Sequence, residues 1–120
     1  DYYVKTFHSD RYWSATPEEN REDWCWYKPQ SNEHGEYHDN MFCLDADKTA
    51  AFMEKVEKPW GAFKVLAAGA IHPRLGFAFA FRGGADFITV GMFDFQIAAN
   101  VRLAKDLLRK ISDRPRPWRG

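Results

Sequence analysis

Two lysines within predicted strands are the residues of this chain best suited to chemistry. Lys5 lies in an apolar run over residues 2–8, and Lys64 lies within a second apolar run over residues 62–68. A lysine inside a buried strand is costly unless its charge is paired or its amine is used. Two ammonium groups close together at low dielectric would leave one amine neutral and nucleophilic, able to form an imine with a carbonyl substrate. Pairing with carboxylates and extension of the ammonium groups into solvent are the alternatives.

A second group of candidate residues follows the end of the first predicted strand. His8 and Asp10 come directly after it, and His38 lies in the long segment that comes next. Two imidazoles and a carboxylate could hold zinc, manganese or a ferrous ion. The spacing matches no named metal motif, so hydrogen-bonded or solvated histidines are the other interpretation. We expect no cofactor, with a divalent metal on these three residues as the alternative.

The elements that position these residues alternate between strand and helix. Strands are predicted at residues 2–8, 62–68 and 87–92. Helices are predicted from the Asp45 cap to about Lys58, over Pro73–Arg82, and from the Asp94 cap to Ile111. On the last helix, an apolar stripe for packing is formed by Ile97, Val101, Ala104, Leu108 and Ile111.

Repeated βα units predict an α/β fold with a parallel sheet and right-handed crossovers. Three units would leave both sheet edges open. We therefore expect the C-terminal part of a (β/α)₈ TIM barrel, a partial barrel in this chain, over residues 1–113. Residues 114–120 are predicted to be a flexible tail. Completion of the sheet by identical chains and a small open α/β layer are the alternatives.

The long segment at residues 9–44 is rich in aromatic residues, which include Trp13. An insertion of this length without strong periodicity is usually functional or disordered, and the aromatic content argues against disorder. We interpret it as a lid over the strand ends that offers stacking surfaces for a ring or sugar. A structural cap that packs on its own aromatic cluster is the alternative.

The short motifs of this chain resemble the closing βα units of a phosphate-binding TIM barrel. Gly69 and Gly91 follow the last two strands, where such barrels hold a phosphate. The Lys5-Thr6 pair, and Lys64 followed by a glycine turn, are similar to deoxyribose-phosphate aldolase-type class I aldolases. That resemblance implies Lys5 as the Schiff-base lysine and Lys64 as the neighbour that favours its neutral form. His72 would be a loop residue or a phosphate contact.

Composition limits the classes of partner. Lys plus Arg and Asp plus Glu number 17 each, so no net charge favours nucleic acid. We expect no membrane partner, because no run is long enough for a transmembrane helix. Cys25 and Cys43 fit no metal or redox motif and are predicted to be free thiols in the cytoplasm.

The predicted function is a lyase or isomerase for a small phosphorylated carbonyl or sugar compound, with a homo-oligomer or a missing N-terminal half-barrel as possible partner. A metal-dependent isomerase or hydrolase and a non-catalytic, self-assembling sugar binder are the alternatives.

Overall fold

The computed structural model of the protein describes residues 1–15 and 42–119. In chain order, its elements are β1 (Tyr3–Thr6), α1 (Ala46–Glu54), β2 (Trp60–Phe63), α2 (Pro73–Arg82), β3 (Phe87–Thr89) and α3 (Ile97–Lys110), with 3₁₀ turns at Ala67–Gly69 and Asp94–Gln96. The strands form a parallel sheet in the order β1-β2-β3. The predicted α/β class and the parallel sheet are therefore confirmed.

The second strand is shorter than predicted, and this changes the position of Lys64. β2 ends at Phe63, and Lys64 adopts a left-handed backbone with a φ of 57°. A non-glycine residue rarely takes this conformation, and it ends the alternation of side chains along a strand. The prediction that Lys64 lies in the middle of a strand is wrong, because Lys64 is the first residue of the turn that follows.

The helices pack on one face of the sheet. Trp60 and Ala62 alternate along β2 and are fully buried in a cluster with α2. Phe7, which follows β1, contacts the Trp60 ring edge to face at 5.5 Å. Gly83, at the end of α2, lies against the Phe7 ring, where any side chain would collide. This close approach explains the glycine at that position and fixes the distance between α2 and the sheet.

The opposite face of the sheet is apolar and exposed. Val4 of β1 and Phe87 of β3 flank Gly61 of β2 in one register row. Val4 is 54% exposed and Phe87 is 51% exposed. Because alternate residues of a strand point to opposite faces, this row lies on the side away from Trp60 and Ala62. Helices thus cover one face of the described sheet and leave the side chains of Val4 and Phe87 exposed on the other.

The predicted stripe of α3 faces in two directions. Ala104 and Ile111 pack against the core, whereas Ile97, Val101 and Leu108 are exposed. The buried side of the helix is instead formed by Asn100, Leu103, Ala104, Leu107 and Ile111. The apolar pattern alone missed Asn100, whose amide contacts the Met92 sulfur at 3.5 Å. The prediction of a single packing stripe is therefore wrong, because only Ala104 and Ile111 of that stripe pack against the core.

The C-terminal segment packs against the amino ends of the strands, which differs from the predicted flexible tail. Asp86, just before β3, is fully buried and accepts a hydrogen bond of 2.7 Å from Arg116 Nη1. The Trp60 and Arg119 backbone N–H groups also donate to this carboxylate, at 3.1 and 2.9 Å. Arg116 Nη2 donates to the Val56 carbonyl at 3.1 Å. One carboxylate therefore joins the tail to β2 and β3.

Opposing effects act on the pKa of Asp86. Burial alone would raise the pKa of this carboxyl. The hydrogen bonds from the Arg119 amide, the Arg116 guanidinium and the Trp60 amide favour the carboxylate more strongly. The Arg116 charge adds to them, so the pKa of Asp86 lies below its ordinary value. The folded protein holds this group as an anion.

Asp86→Asn should lower the free energy of unfolding by about 3–5 kcal/mol, because it leaves buried guanidinium groups without their counter-charge. Urea unfolding at neutral pH measures this loss. Asp106→Asn is the matched control, since Asp106 forms an exposed pair with Arg109 and its removal should cost less than about 1 kcal/mol. Equal losses in the two variants would contradict the role given to Asp86.

Candidate functional site

The carboxyl ends of the three parallel strands define the candidate site. β1 runs into His8 and Asp10, β2 into Lys64, and β3 towards Gly91. Because the strands are parallel, these ends lie at one edge of the sheet, which is where ligands bind in α/β folds. The Lys64 ammonium lies 3.7 Å from the centre of the Phe42 ring, a cation–π contact.

His8 holds together the two chain segments at this edge. Its side chain is fully buried, and Nε2 accepts hydrogen bonds from the Phe42 and Cys43 N–H groups at 3.1 and 3.0 Å. Nδ1 lies 2.8 Å from the Ser9 carbonyl oxygen. An imidazole that accepts at Nε2 and donates at Nδ1 is neutral. His8 thus anchors residues 42 and 43 to the end of β1.

The surroundings of His8 favour this neutral form. Burial lowers the pKa of His8 below its ordinary value of 6.5, and the charge of Lys64 also lowers it. The Ser9 hydrogen bond and the Asp10 charge act in the opposite direction but are weaker than burial. The structure therefore brings three of the predicted site residues, His8, Asp10 and Lys64, within electrostatic reach of one another.

The geometry does not support a metal on His8. Both of its ring nitrogens are used in hydrogen bonds to the backbone, so neither offers a lone pair to a metal. Within residues 1–15 and 42–119, no three His, Cys, Asp or Glu side chains are placed to hold a metal ion together. His38, the third predicted ligand, lies outside the described residues, as does most of the predicted lid at 9–44.

The two lysines do not project into a common interior. Lys5 is exposed on β1, and its register partner is Ala62, on the face where α2 packs. Lys64 is also exposed, beyond the end of β2. The prediction of two amines enclosed at low dielectric is therefore wrong, because β1 is an edge of the described sheet and Lys64 has left it.

The turn that carries Lys64 is unusual in its backbone. Lys64, Ala67 and Ala68 all have a positive φ, between 44° and 57°. Such conformations cost about 1–3 kcal/mol each for non-glycine residues and are concentrated at functional sites. Gly69 follows with a φ of 93°, which glycine adopts without strain. The turn therefore combines stored strain with an exposed amine at the carboxyl end of the central strand.

The remaining predicted residues have simpler positions. His72 is the N-cap of α2, where its Nδ1 accepts a hydrogen bond of 3.2 Å from the Arg74 N–H. Gly69 and Gly91 are exposed, and a side chain at either would meet no atom within 4 Å. Trp13 is 85% exposed. Each of them is accessible at the surface.

Sequence reasoning missed Phe42 and Cys43 as part of this edge. They were assigned to the lid, whereas the structure holds them on His8. No sequence signal links them, because the contact joins positions more than 30 residues apart. Burial raises the pKa of the Cys43 thiol, although its hydrogen bonds with the His8 backbone and the Thr49 hydroxyl and the Lys5 charge act against it. This thiol is therefore a poor nucleophile.

Comparison with known protein families, curated proteins and solved structures finds no match to this chain. Helices in the described part of the chain are all too short or too polar to cross a membrane.

Replacement of His8 should separate its hydrogen-bonding role from its size. His8→Phe should lower the free energy of unfolding by about 1–3 kcal/mol for each backbone amide that loses its acceptor. His8→Gln should lower it less, because the side-chain oxygen of glutamine can accept. Urea unfolding of the two variants at the same pH measures the difference. A His8→Phe variant as stable as His8→Gln would contradict the anchoring role.

A comparison of the wild-type protein with His8→Gln tests the neutral state of His8. With a folded pKa below 6.5, the unfolded chain binds a proton more readily than the native one. The contribution of His8 to stability is then complete above about pH 6.5 and is lost as the pH falls towards the lower folded value. Wild-type protein should therefore lose more stability than His8→Gln between about pH 7.5 and about pH 5.5. Equal slopes would show that His8 is not held neutral.

Proposed function

We propose that this chain is part of a barrel-type lyase or isomerase that acts on a small phosphorylated carbonyl or sugar compound. The observation that carries this proposal is the strained turn at the end of β2, which presents Lys64 within electrostatic reach of the buried His8, on which the Asp10 charge also acts. Backbone strain at the carboxyl end of a parallel strand supports a site for ligand, since such strain has no evident value for stability.

The charges at this edge favour an anionic substrate. Lys64 is an exposed cation, and the amino end of α2 carries the positive end of a helix dipole. Both come from the segment that connects β2 to β3, so they lie on the same side of the strand ends. Gly69, between them, has no side chain to obstruct a phosphate. A phosphate on the substrate would bind at the amino end of α2, which leaves the Lys64 amine for the carbonyl group.

Lys64 is the residue we assign to the carbonyl group. In its neutral form, the amine would attack the carbonyl carbon, and the oxygen would leave as water after taking up two protons. The resulting protonated imine would accept the electron pair of the bond between the α and β carbons as that bond breaks, and the proton of the β-hydroxyl group would pass to solvent. Lys5 is not placed to assist, because it lies on the helix-covered face of the sheet. The proposal therefore rests on one lysine where the sequence indicated two.

A barrel requires more strands than the three described, and the open face supports this part of the proposal. Val4 and Phe87 expose apolar surface on the face that a barrel would enclose. Additional strands would cover that surface and pair with the outer edges of β1 and β3. The same surface would equally be covered by a second copy of the chain, which is our second candidate, a self-assembling partial barrel.

Reductive trapping tests the role of Lys64. Incubation with glycolaldehyde phosphate and borohydride, followed by mass spectrometry of peptides, should label Lys64 above the other lysines. Lys64→Met should abolish this selective labelling, and the matched control Lys5→Met should retain it. Uniform labelling of all exposed lysines, or selective labelling of Lys5, would remove the proposed mechanism.

Measurement of the mass in solution tests the second candidate. If copies of the chain cover the open face, Phe87→Lys should convert an oligomer into a monomer in analytical ultracentrifugation. Phe95→Lys, at an exposed phenylalanine outside the sheet, serves as the control and should leave the oligomer intact. A monomeric wild-type protein would rule out self-assembly and leave the barrel proposal unaffected.

A further inference from the structure

We propose that Arg114, beside the Asp86–Arg116 pair, binds a small anion at the amino end of the sheet. This end is opposite to the candidate substrate site, and the two proposals are independent of each other. Two guanidinium groups and one carboxylate meet there, and the side chains of Arg114, Arg116 and Asp86 are only 3%, 2% and 0% exposed. The buried cluster therefore has a net charge of +1.

The single carboxylate of Asp86 does not neutralise both guanidinium groups. It accepts from Arg116 at 2.7 Å and from the Trp60 and Arg119 backbone amides. Its contact with Arg114 Nη2 is much longer, at 3.5 Å. A carboxylate accepts about four hydrogen bonds, and the long bond from Arg114 Nη2 is the fourth for Asp86, which is paired chiefly with Arg116.

Arg114 is left without a sufficient set of acceptors. Its Nη2 donates to the Gly84 carbonyl at 2.7 Å. Its Nε and Nη1 are buried, and no acceptor in the described part of the chain lies within hydrogen-bonding distance of either. Arg116 uses both terminal nitrogens on Asp86 and three backbone carbonyls, so that only its Nε lacks an acceptor within the described residues. A buried charged donor without an acceptor is costly, and an anion at Arg114 would remove that cost.

The surroundings limit the size and chemistry of the ligand. The Trp118 ring lies 3.3 Å from the central carbon of the Arg114 guanidinium and covers one of its faces. A ligand must therefore approach an edge of the guanidinium group, where the N–H bonds point. It must accept hydrogen bonds and carry negative charge, since a water molecule would satisfy the donors and leave the charge unbalanced. A halide or a small carboxylate meets these conditions.

Burial disfavours the charged form of Arg114, and a bound anion would favour it. Burial lowers the pKa of Arg114, and the neighbouring Arg116 charge lowers it as well. The Asp86 charge and hydrogen bond oppose this but do not cancel it. A bound anion would restore the balance and stabilise the docked tail.

Chloride-dependent stability tests the proposal. Urea unfolding of the wild-type protein is followed as chloride replaces gluconate, a much larger anion, at constant ionic strength. The unfolding midpoint should rise with chloride, because a ligand that binds only the folded state stabilises it. Arg114→Gln should lose this rise, and Arg109→Gln, which alters an exposed pair, should keep it. Formate in place of chloride shows whether a carboxylate is preferred to a halide.

Two results would overturn the proposal: no rise in the wild-type protein, or the same rise in Arg114→Gln. If Arg114→Gln does not fold, crystals of the wild-type protein grown with bromide provide the decision. An anomalous peak within about 3.5 Å of Arg114 Nε or Nη1 would support the site. Density for water alone at that position would exclude it.

Discussion

The buried ion pair between Asp86 and Arg116 is the interaction on which the described structure depends. It joins the start of β2, the start of β3 and the C-terminal segment through one carboxylate and one guanidinium. These contacts gather backbone groups that would otherwise be buried without partners at the amino end of the sheet. A pair of this kind contributes little net energy but strongly penalises any arrangement that separates it. It therefore fixes the position of the C-terminal segment relative to β2 and β3.

The amino end of the sheet holds buried groups that stabilise the fold, and the carboxyl end holds the candidate site. At the amino end, charged groups are buried and hydrogen-bonded to the backbone. At the carboxyl end, the turn after β2 holds three non-glycine residues in a strained conformation and leaves Lys64 exposed. His8 stabilises this end, since its neutral ring accepts hydrogen bonds from residues 42 and 43. In parallel α/β folds, such a division is typical, with chemistry at the carboxyl ends of the strands.

The sequence predicts the elements better than it predicts the positions of the charged groups. α2 begins at Pro73 and ends before Gly83 as expected, because proline at the first turn and glycine after the last are strong local signals. The left-handed backbone of Lys64 has no such signal, since glycine is the residue expected there. Arg116 could not be placed either, because its partner Asp86 lies 30 residues earlier in the chain. Local pattern specifies helices and strands, whereas a buried charge is specified by residues that only the fold brings together.

The register of the sheet has a consequence for the order in which the chain folds. β2 pairs residue 61 with residue 87, across one helix, whereas β1 pairs residue 4 with residue 61, across a much longer loop. Closure of a longer loop costs more chain entropy before any contact offsets it. The β2-α2-β3 unit should therefore form first, and the amino-terminal strand should join a surface that already exists. During synthesis, β1 leaves the ribosome before β2 and cannot pair with it until β2 has emerged.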